Sequence, residues 1–416
     1  MNAPIEHRPL ILAIFVLTYV GVAIGRIPGL KLSRIGIALL GAIAMMIASG
    51  SATSATISFV NWPTIFLLFG FFVISAQLRL SGFYDRVAED ISARLNVPAR
   101  FLVFLVAVTA GLSAFLNNDI VCYVLAPVVG AALIRKQLDP VPFLVALAAA
   151  SNIGAGATLI GNAQNMMIGQ LGGLSFLRYM LWSIIPVLFG LVVTYVVARI
   201  GAHSGPPVLE APDADPGTCA YPYDSYHTIK GLVVLAVVIA LFFTSLPREV
   251  VVLVAAGIHL MSTKFRTQDL LALVDWQVLL MFMALFIVSG TFQATGYGAA
   301  LVAWLEGNGF NLSSPGNEVM ITSGLTALIN NAPAVMLLVK LVPITHVSIA
   351  YIMAVANSFG GNAILTASVA NLIVVQQARR QGIVITFGAF ARFGLPITFV
   401  SLAGLIGWAL LMGPGS

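Results

Sequence analysis

The chain has 416 residues, of which 59% are hydrophobic and only 8% charged, against about a quarter charged in an ordinary soluble domain. With a mean hydropathy of +1.00, no water-soluble fold of this length can hide its apolar side chains. A soluble enzyme, a nucleic-acid binder and a disordered chain are thereby excluded. The net charge of +5 reads instead as basic residues holding the cytoplasmic loops of a membrane protein, with the lipid bilayer as its surroundings.

Runs of about 20 apolar residues are spans. In chain order they fall at 9–25, 35–52 and 59–79. The first follows Arg8 without a cleavage site and reads as a retained span, not a signal peptide. The mixed-charge stretch 81–98 has helical spacing and predicts an interfacial amphipathic helix. Region 101–134 is apolar on both sides of a polar tip, Asn117-Asn118-Asp119, and predicts a re-entrant hairpin. Region 141–172 is long enough to cross but is interrupted by Gly, Asn and Thr, which predicts a broken helix. A span at 174–199 follows, then the polar stretch 201–228, expected to be a cytoplasmic linker without its own fold. Spans at 229–246, 249–263 and 272–292 lead to 293–315, which carries no Lys or Arg and reads as an external loop. A second hairpin, 316–345, has the tip Asn330-Asn331-Ala332-Pro333. A second broken helix, 347–378, precedes the last span at 385–412.

Basic residues orient this scheme. With the N-terminus outside and ten crossings, Arg26, Lys31, Arg34, Arg79, Arg86, Arg94, Arg100 and Arg135 fall inside. Lys136, Arg199, Lys230, Lys264, Arg266, Arg379, Arg380 and Arg392 also fall inside or near the inner surface, and only Arg8, Arg178 and Arg248 fall outside, with Lys340 within the second hairpin. Arg100 and Arg135 bracket the first hairpin on one side. Cys122 lies in an apolar run and Cys219 in a polar loop, so no disulfide is expected, and no metal-ligand spacing is present.

The chain repeats itself. Trp276 follows Trp62 by 214 positions, within similar segments at 61–87 and 275–301. LTALINNA follows LSAFLNND by 213 positions, and NSFGGNAILTASVAN follows SNIGAGATLIGNAQN by 206. Each half holds an odd number of crossings, so the halves face opposite ways, as in secondary transporters with inverted repeats. The expected fold is therefore all-α and polytopic. Repeat one covers 1–200 and repeat two 229–416, with two hairpins and two broken helices framing a central site.

Unwound backbone inside a membrane must line a cavity or be buried in protein. Its carbonyls can hold Na⁺ at the hairpin tips, and half-helix N-termini attract anions. Candidate solute ligands are Asn117, Asn118, Asn162, Asn330, Asn331 and Ser368. Candidate coupling-ion ligands are Asp119, Asn118, Asn152, Gly154, Asn165, Asn331, Asn357, Asn362, Thr366 and Asn371. Gly154 and Gly156 are expected to let the first broken helix unwind, and Gly360 and Gly361 the second. Asp119 reads as the one acid deep in an apolar region, where a carboxylate is functional by default; an N-cap role is also open to it. Lys340 can balance an anion or snorkel outward.

FLNNDIVCYVLAPVV, NIGAGATLIGNAQN and NSFGGNAILTASVANLIV resemble the hairpin and broken-helix motifs of the ion-transporter superfamily. That superfamily includes arsenite permeases, citrate-transporter-like proteins and divalent-anion/sodium symporters. FLNND with GNAQN and GLSF resembles the YbiR-type bacterial inner-membrane permeases. The resemblance implies an elevator-type carrier, a homodimer in the inner membrane, with no cofactor beyond coupling by Na⁺ or H⁺. It further implies an ion-coupled secondary transporter of a small inorganic or organic anion, whether oxyanion, carboxylate or arsenite-like species. The alternatives left open are a sodium/proton antiporter working through Asp119 and, more remotely, a channel or an intramembrane enzyme. The Asn-Asp tip weakens the case for a dicarboxylate.

Overall fold

Residues 8–25, 31–50, 53–93, 95, 97–202, 221–308, 311–312, 314–342, 344 and 346–412 are described by the computed structural model. They form twenty α-helices and, among the described residues, no strand. The expected interior positions of Arg26 and Arg94, and the central part of the 201–228 linker with Cys219, lie outside the described residues.

The first half opens with α1 (Arg8–Ile24), α2 (Arg34–Ser49), a short α3 (Thr53–Ile57) and α4 (Trp62–Leu80). It continues with α5 (Phe83–Ser92), α6 (Pro98–Phe115), α7 (Asn118–Arg135), α8 (Pro140–Ala155), α9 (Ala163–Leu171) and α10 (Phe176–Gly201). The second half holds α11 (Ser225–Leu241), α12 (Arg248–Leu260), α13 (Thr267–Ala272), α14 (Trp276–Gln293) and α15 (Tyr297–Gly307). It ends with α16 (Pro315–Ile329), α17 (Asn331–Leu341), α18 (Val347–Gly360), a 3-10 turn at Leu365–Ala367, α19 (Val369–Arg380) and α20 (Phe387–Met412).

Six helices, α4, α6, α7, α10, α14 and α20, are long and apolar enough to cross a membrane. Side chains such as Leu17, Ile47, Leu181, Val192, Phe399 and Leu411 are apolar and exposed. Exposed apolar side chains in such number belong in lipid. Polar groups lie inside instead, where helices meet.

Local chemistry matches between the halves. Asn61 accepts the Thr64 N–H at 2.9 Å to start α4, and Asp275 accepts the Val278 N–H at 3.0 Å to start α14; each side chain takes one of the N–H groups a helix start leaves unpaired. At the far ends, Gly82 (φ 71°) and Gly296 (φ 82°) take the left-handed turn that leads into α5 and α15, a conformation open to residues without Cβ. The 26-residue helices α10 and α20 pack on each other and carry Pro186 and Pro396 in their interiors. α4 and α14 run antiparallel: the Phe59 ring fills the space beside Gly290, and Phe69 meets Trp276 at 5.9 Å.

Two expectations need correction. The stretch 293–315 is not a bare loop, because α15 occupies nearly half of it. The end of the linker is also structured. Asp224 accepts the His227 N–H at 3.0 Å to start α11, and its own N–H donates to the Ser81 carbonyl at 2.9 Å. Gly82 makes room for the Tyr221 and Pro222 main chain. Residues 221–228 are thereby docked on the end of α4.

Candidate functional site

Between α8 and α9, and between α18 and α19, the chain leaves the helix inside the protein. Buried main-chain groups there need side-chain partners in place of the lost helical ones. Asn165 Nδ2 donates to the carbonyls of Ala155 (3.2 Å) and Thr158 (3.1 Å). Asn371 Nδ2 donates to those of Gly361 (2.7 Å) and Ile364 (3.2 Å). Donor and both acceptors are each displaced by 206 positions, so the two breaks are built by the same bonds.

The hairpin tips are tied to these breaks in a matching way. Ser151 Oγ donates to the Asn118 carbonyl at 3.1 Å, and Ser113 to Ser151 at 3.2 Å. Opposite them, Asn357 Nδ2 donates to the Asn331 carbonyl at 3.0 Å and to Thr326 Oγ1 at 2.8 Å. The two halves then meet reciprocally. Asn162 Nδ2 donates to Ser358 Oγ at 3.2 Å, and Ser368 Oγ donates to Asn152 Oδ1 at 3.0 Å. Asn162 and Ser368, like Asn152 and Ser358, stand 206 positions apart, which is the exchange of contacts a two-fold axis produces. Asn152 is the hub: its Nδ2 donates to Asn362 (2.8 Å) and Asn371 (3.0 Å), and its Oδ1 accepts from Asn118 (3.2 Å).

In front of this network lies a small cavity of about 30 Å³, lined by Asn117, Asn118 and Asp119 from the first tip and Asn331 and Ala332 from the second. Ala163, Gln164 and Val369, the first residues of α9 and α19, also line it, and Phe72, Val278, Met281 and Phe282 form its apolar side. Four helices, α7, α9, α17 and α19, therefore start at one point, two from each half. Their dipoles favour negative charge there, with one N–H at three of the starts already taken by the side chains of Asn117, Asn162 and Asn331. A volume of this size accepts a water or a bare cation. The cavity adjoins a vestibule of about 490 Å³, sharing Phe72, Asn117 and Asp119 with it and reaching Arg79, Tyr123 and the exposed Asp275–Gln277.

The structure places several of the expected site residues differently from the reading of the sequence. Gly156 and Gly361 cap α8 and α18 where those helices end, but Gly154 and Gly360 unwind nothing. Both are helical, and each admits close approach of a neighbouring main chain, Ala110 and Ser323 respectively. The Thr366 side chain is exposed, and only its carbonyl takes part, accepting from Asn330 Nδ2 at 3.1 Å. Asn117 Oδ1 is engaged by the Asp119 N–H at 2.8 Å. Asn165 and Asn357 stay within their own halves. Their buried Oδ1 atoms have no hydrogen-bond partner. Asp119 is not alone as a deep acid: Glu318 is fully buried, with Thr322 donating to Oε1 at 2.8 Å and Oε2 unpartnered. Its place just after Pro315 disguised it as a span end. Ser113, Ser151, Thr326 and Ser358 were also missed, although the repeat offsets applied position by position would have found them. Among the described residues, no group of three His, Cys, Asp or Glu side chains could hold a metal.

Among the described residues the chain is all-helical, and its two broken helices close on a buried polar centre. The family follows from comparison: the model of the citrate transporter family, CitMHS, matches residues 19–351, and the chain belongs to that family. It is 31% identical to the uncharacterized transporter MT2759 of Mycobacterium tuberculosis, over 94% of this chain and 95% of that one. It is 29% identical to the inner membrane protein YbiR of Escherichia coli, over 85% and 88% of the two chains. Among solved structures, the YdaH transporter of Alcanivorax borkumensis shares the fold, with a TM-score of 0.59 at 14% identity over 98% of this chain and 97% of that one. The protein is a multi-pass transporter of the ion-transporter superfamily in the inner membrane.

Proposed function

We propose that the chain is an ion-coupled secondary transporter of a small anion, with its solute path closing between the two hairpin tips. The observation that carries this reading is the convergence of four helix N-termini on one cavity, two from each half. Net positive dipole ends at mid-protein suit a carboxylate or oxyanion. The halves act as inverted repeats, α6–α7 and α16–α17 as re-entrant hairpins, and the hairpins with the broken helices as a body that moves against a scaffold in a homodimer. Support comes from the antiparallel α4 and α14 and from the reciprocal Asn162–Ser358 and Ser368–Asn152 bonds. Each arm of the first hairpin is 18 residues long, about 27 Å. Because its tip shares a cavity with the second tip, the extra length runs past the bilayer core at the Arg100 and Arg135 ends.

Asp119 favours a second reading, sodium/proton antiport, because it places a carboxylate on the wall of the same cavity. Thermal stabilisation of the purified protein by citrate, phosphate, sulfate and arsenite, with and without Na⁺, separates the two, since a ligand raises the stability of the state it binds. Anion transport predicts a shift with at least one anion, and Asp119→Asn keeps that shift while removing its dependence on Na⁺ or pH. A response to Na⁺ alone, lost in Asp119→Asn, would favour the antiporter.

A further inference from the structure

The vestibule outside the hairpin tips has a feature the tips lack. Arg79, in the last turn of α4, lines it half-buried. Its guanidinium carbon stands 4.6 Å from the centre of the Tyr123 ring. No described carboxylate forms an ion pair with it, although Asp119 and Asp275 line the same vestibule. A guanidinium stacked on an aromatic face keeps its planar fork of N–H donors pointing sideways and free. That fork matches the paired oxygens of a carboxylate or oxyanion and takes them bidentately. Tyr123 lies one helical turn beyond Asp119 on α7, so a solute held by Arg79 sits one turn from the tip.

Size points the same way. The cavity between the tips, about 30 Å³, is too small for any organic anion, whereas the vestibule, about 490 Å³, lies in the range of small-molecule sites. In this conformation a solute fits beside Arg79 and not between the tips. We infer that Arg79, held over Tyr123, is the residue that first binds the anion on its way to the hairpin tips, and that Asp275 on the exposed rim opposes anions and sets the field against which Arg79 works. This rests on the reading of the tips as an anion path and names the residue that selects charge before them.

The two acidic and basic groups give the test its sign. Asp275→Asn keeps the helix cap of α14, because Asn caps as well as Asp, but removes a negative charge from the rim. Arg79→Gln removes the positive charge, and Arg79→Lys keeps it without the fork. Citrate, phosphate and sulfate are titrated against wild type and the three variants in detergent, with ligand-free melting and gel filtration to show that each is folded. The anion that binds wild type should bind Arg79→Gln at least ten-fold more weakly, Arg79→Lys in between, and Asp275→Asn a few-fold more tightly. Equal affinity in wild type and Arg79→Gln overturns the inference, as does weaker binding in Asp275→Asn. Failure of all three anions to bind wild type overturns it too. Transport by Asn118→Ala and Asn331→Ala at wild-type rates would instead remove the hairpin-tip reading beneath it, so the two failures are told apart.

Discussion

At the scale of single residues, Asn330 carries an unusual conformation. Its φ of 79° and ψ of 156° fall in a region essentially reserved for glycine, at a cost of about 1–3 kcal/mol for any residue with a Cβ. Its side chain is spent on the Thr366 carbonyl, which ties the second tip to the second break. The first tip has no such strain, because Asn117 sits at φ −59°. Asn330→Ala keeps the strain and loses the bond, while Asn330→Gly loses the bond and the strain together. The glycine variant should therefore melt at a higher temperature than the alanine variant, by a free-energy difference of about 1–3 kcal/mol. Equal melting of the two would mean that the tip relaxes.

Asp224 makes a pH prediction on the same scale. The His227 backbone N–H, and then the Lys264 ammonium, hold its carboxyl below the ordinary carboxylate value. A depressed folded-state pKa means stability that is present above about pH 4 and lost as pH falls through the folded value. Wild type should exceed Asp224→Ala by about 1 kcal/mol near pH 7, and the gap should narrow below about pH 4. A gap that widens in acid would contradict the assignment, and melting curves from pH 8 to pH 3 decide it.

At the scale of elements, the hairpins and broken helices were legible in the sequence because polar tips interrupt apolar runs at a constant offset. Their cause was not. Glycine in such a run suggests unwinding, but Gly154 and Gly360 are smooth helix, each pressed on a neighbouring main chain. The breaks are held by Asn165 and Asn371, whose amides replace helical partners for carbonyls seven and ten residues away in sequence. Tertiary approach of one helix to another leaves no local trace, so composition could not separate the two roles. Gly111 and Gly324, one residue past Ala110 and Ser323, have nothing within 4 Å of an added Cβ. Alanine at Gly154 or Gly360 should cost about 1–3 kcal/mol through overpacking, whereas alanine at Gly111 or Gly324 should leave the melting temperature unchanged or raised. Detergent melting of the four variants checks this, and a harmless Gly154→Ala would mean that α6 and α8 are free to separate.

At the scale of the whole molecule, the sequence disclosed the all-helical membrane fold and which residues correspond between halves. It did not disclose that the two polar sets meet each other, because contacts between positions 196 to 219 apart depend on how whole halves pack. The vestibule around Arg79 was hidden for the same reason. The distribution of Lys and Arg predicts that the Arg79 end of the vestibule faces the cytoplasm and that α15 lies near the outer surface. Single cysteines introduced at exposed Asn308 and Lys264 report on this: a membrane-impermeant maleimide added to intact cells should label the first and not the second. The reverse pattern would invert the orientation.

The central claim is that one solute path closes between the tips of both halves. Its most direct measurement is gradient-driven uptake into proteoliposomes of the anion that stabilises the purified protein, compared among wild type, Asn118→Ala and Asn331→Ala. The account predicts uptake by wild type that collapses when the Na⁺ and H⁺ gradients are dissipated, and loss of uptake in both variants while each remains folded. Uptake at wild-type rates in both variants would contradict it.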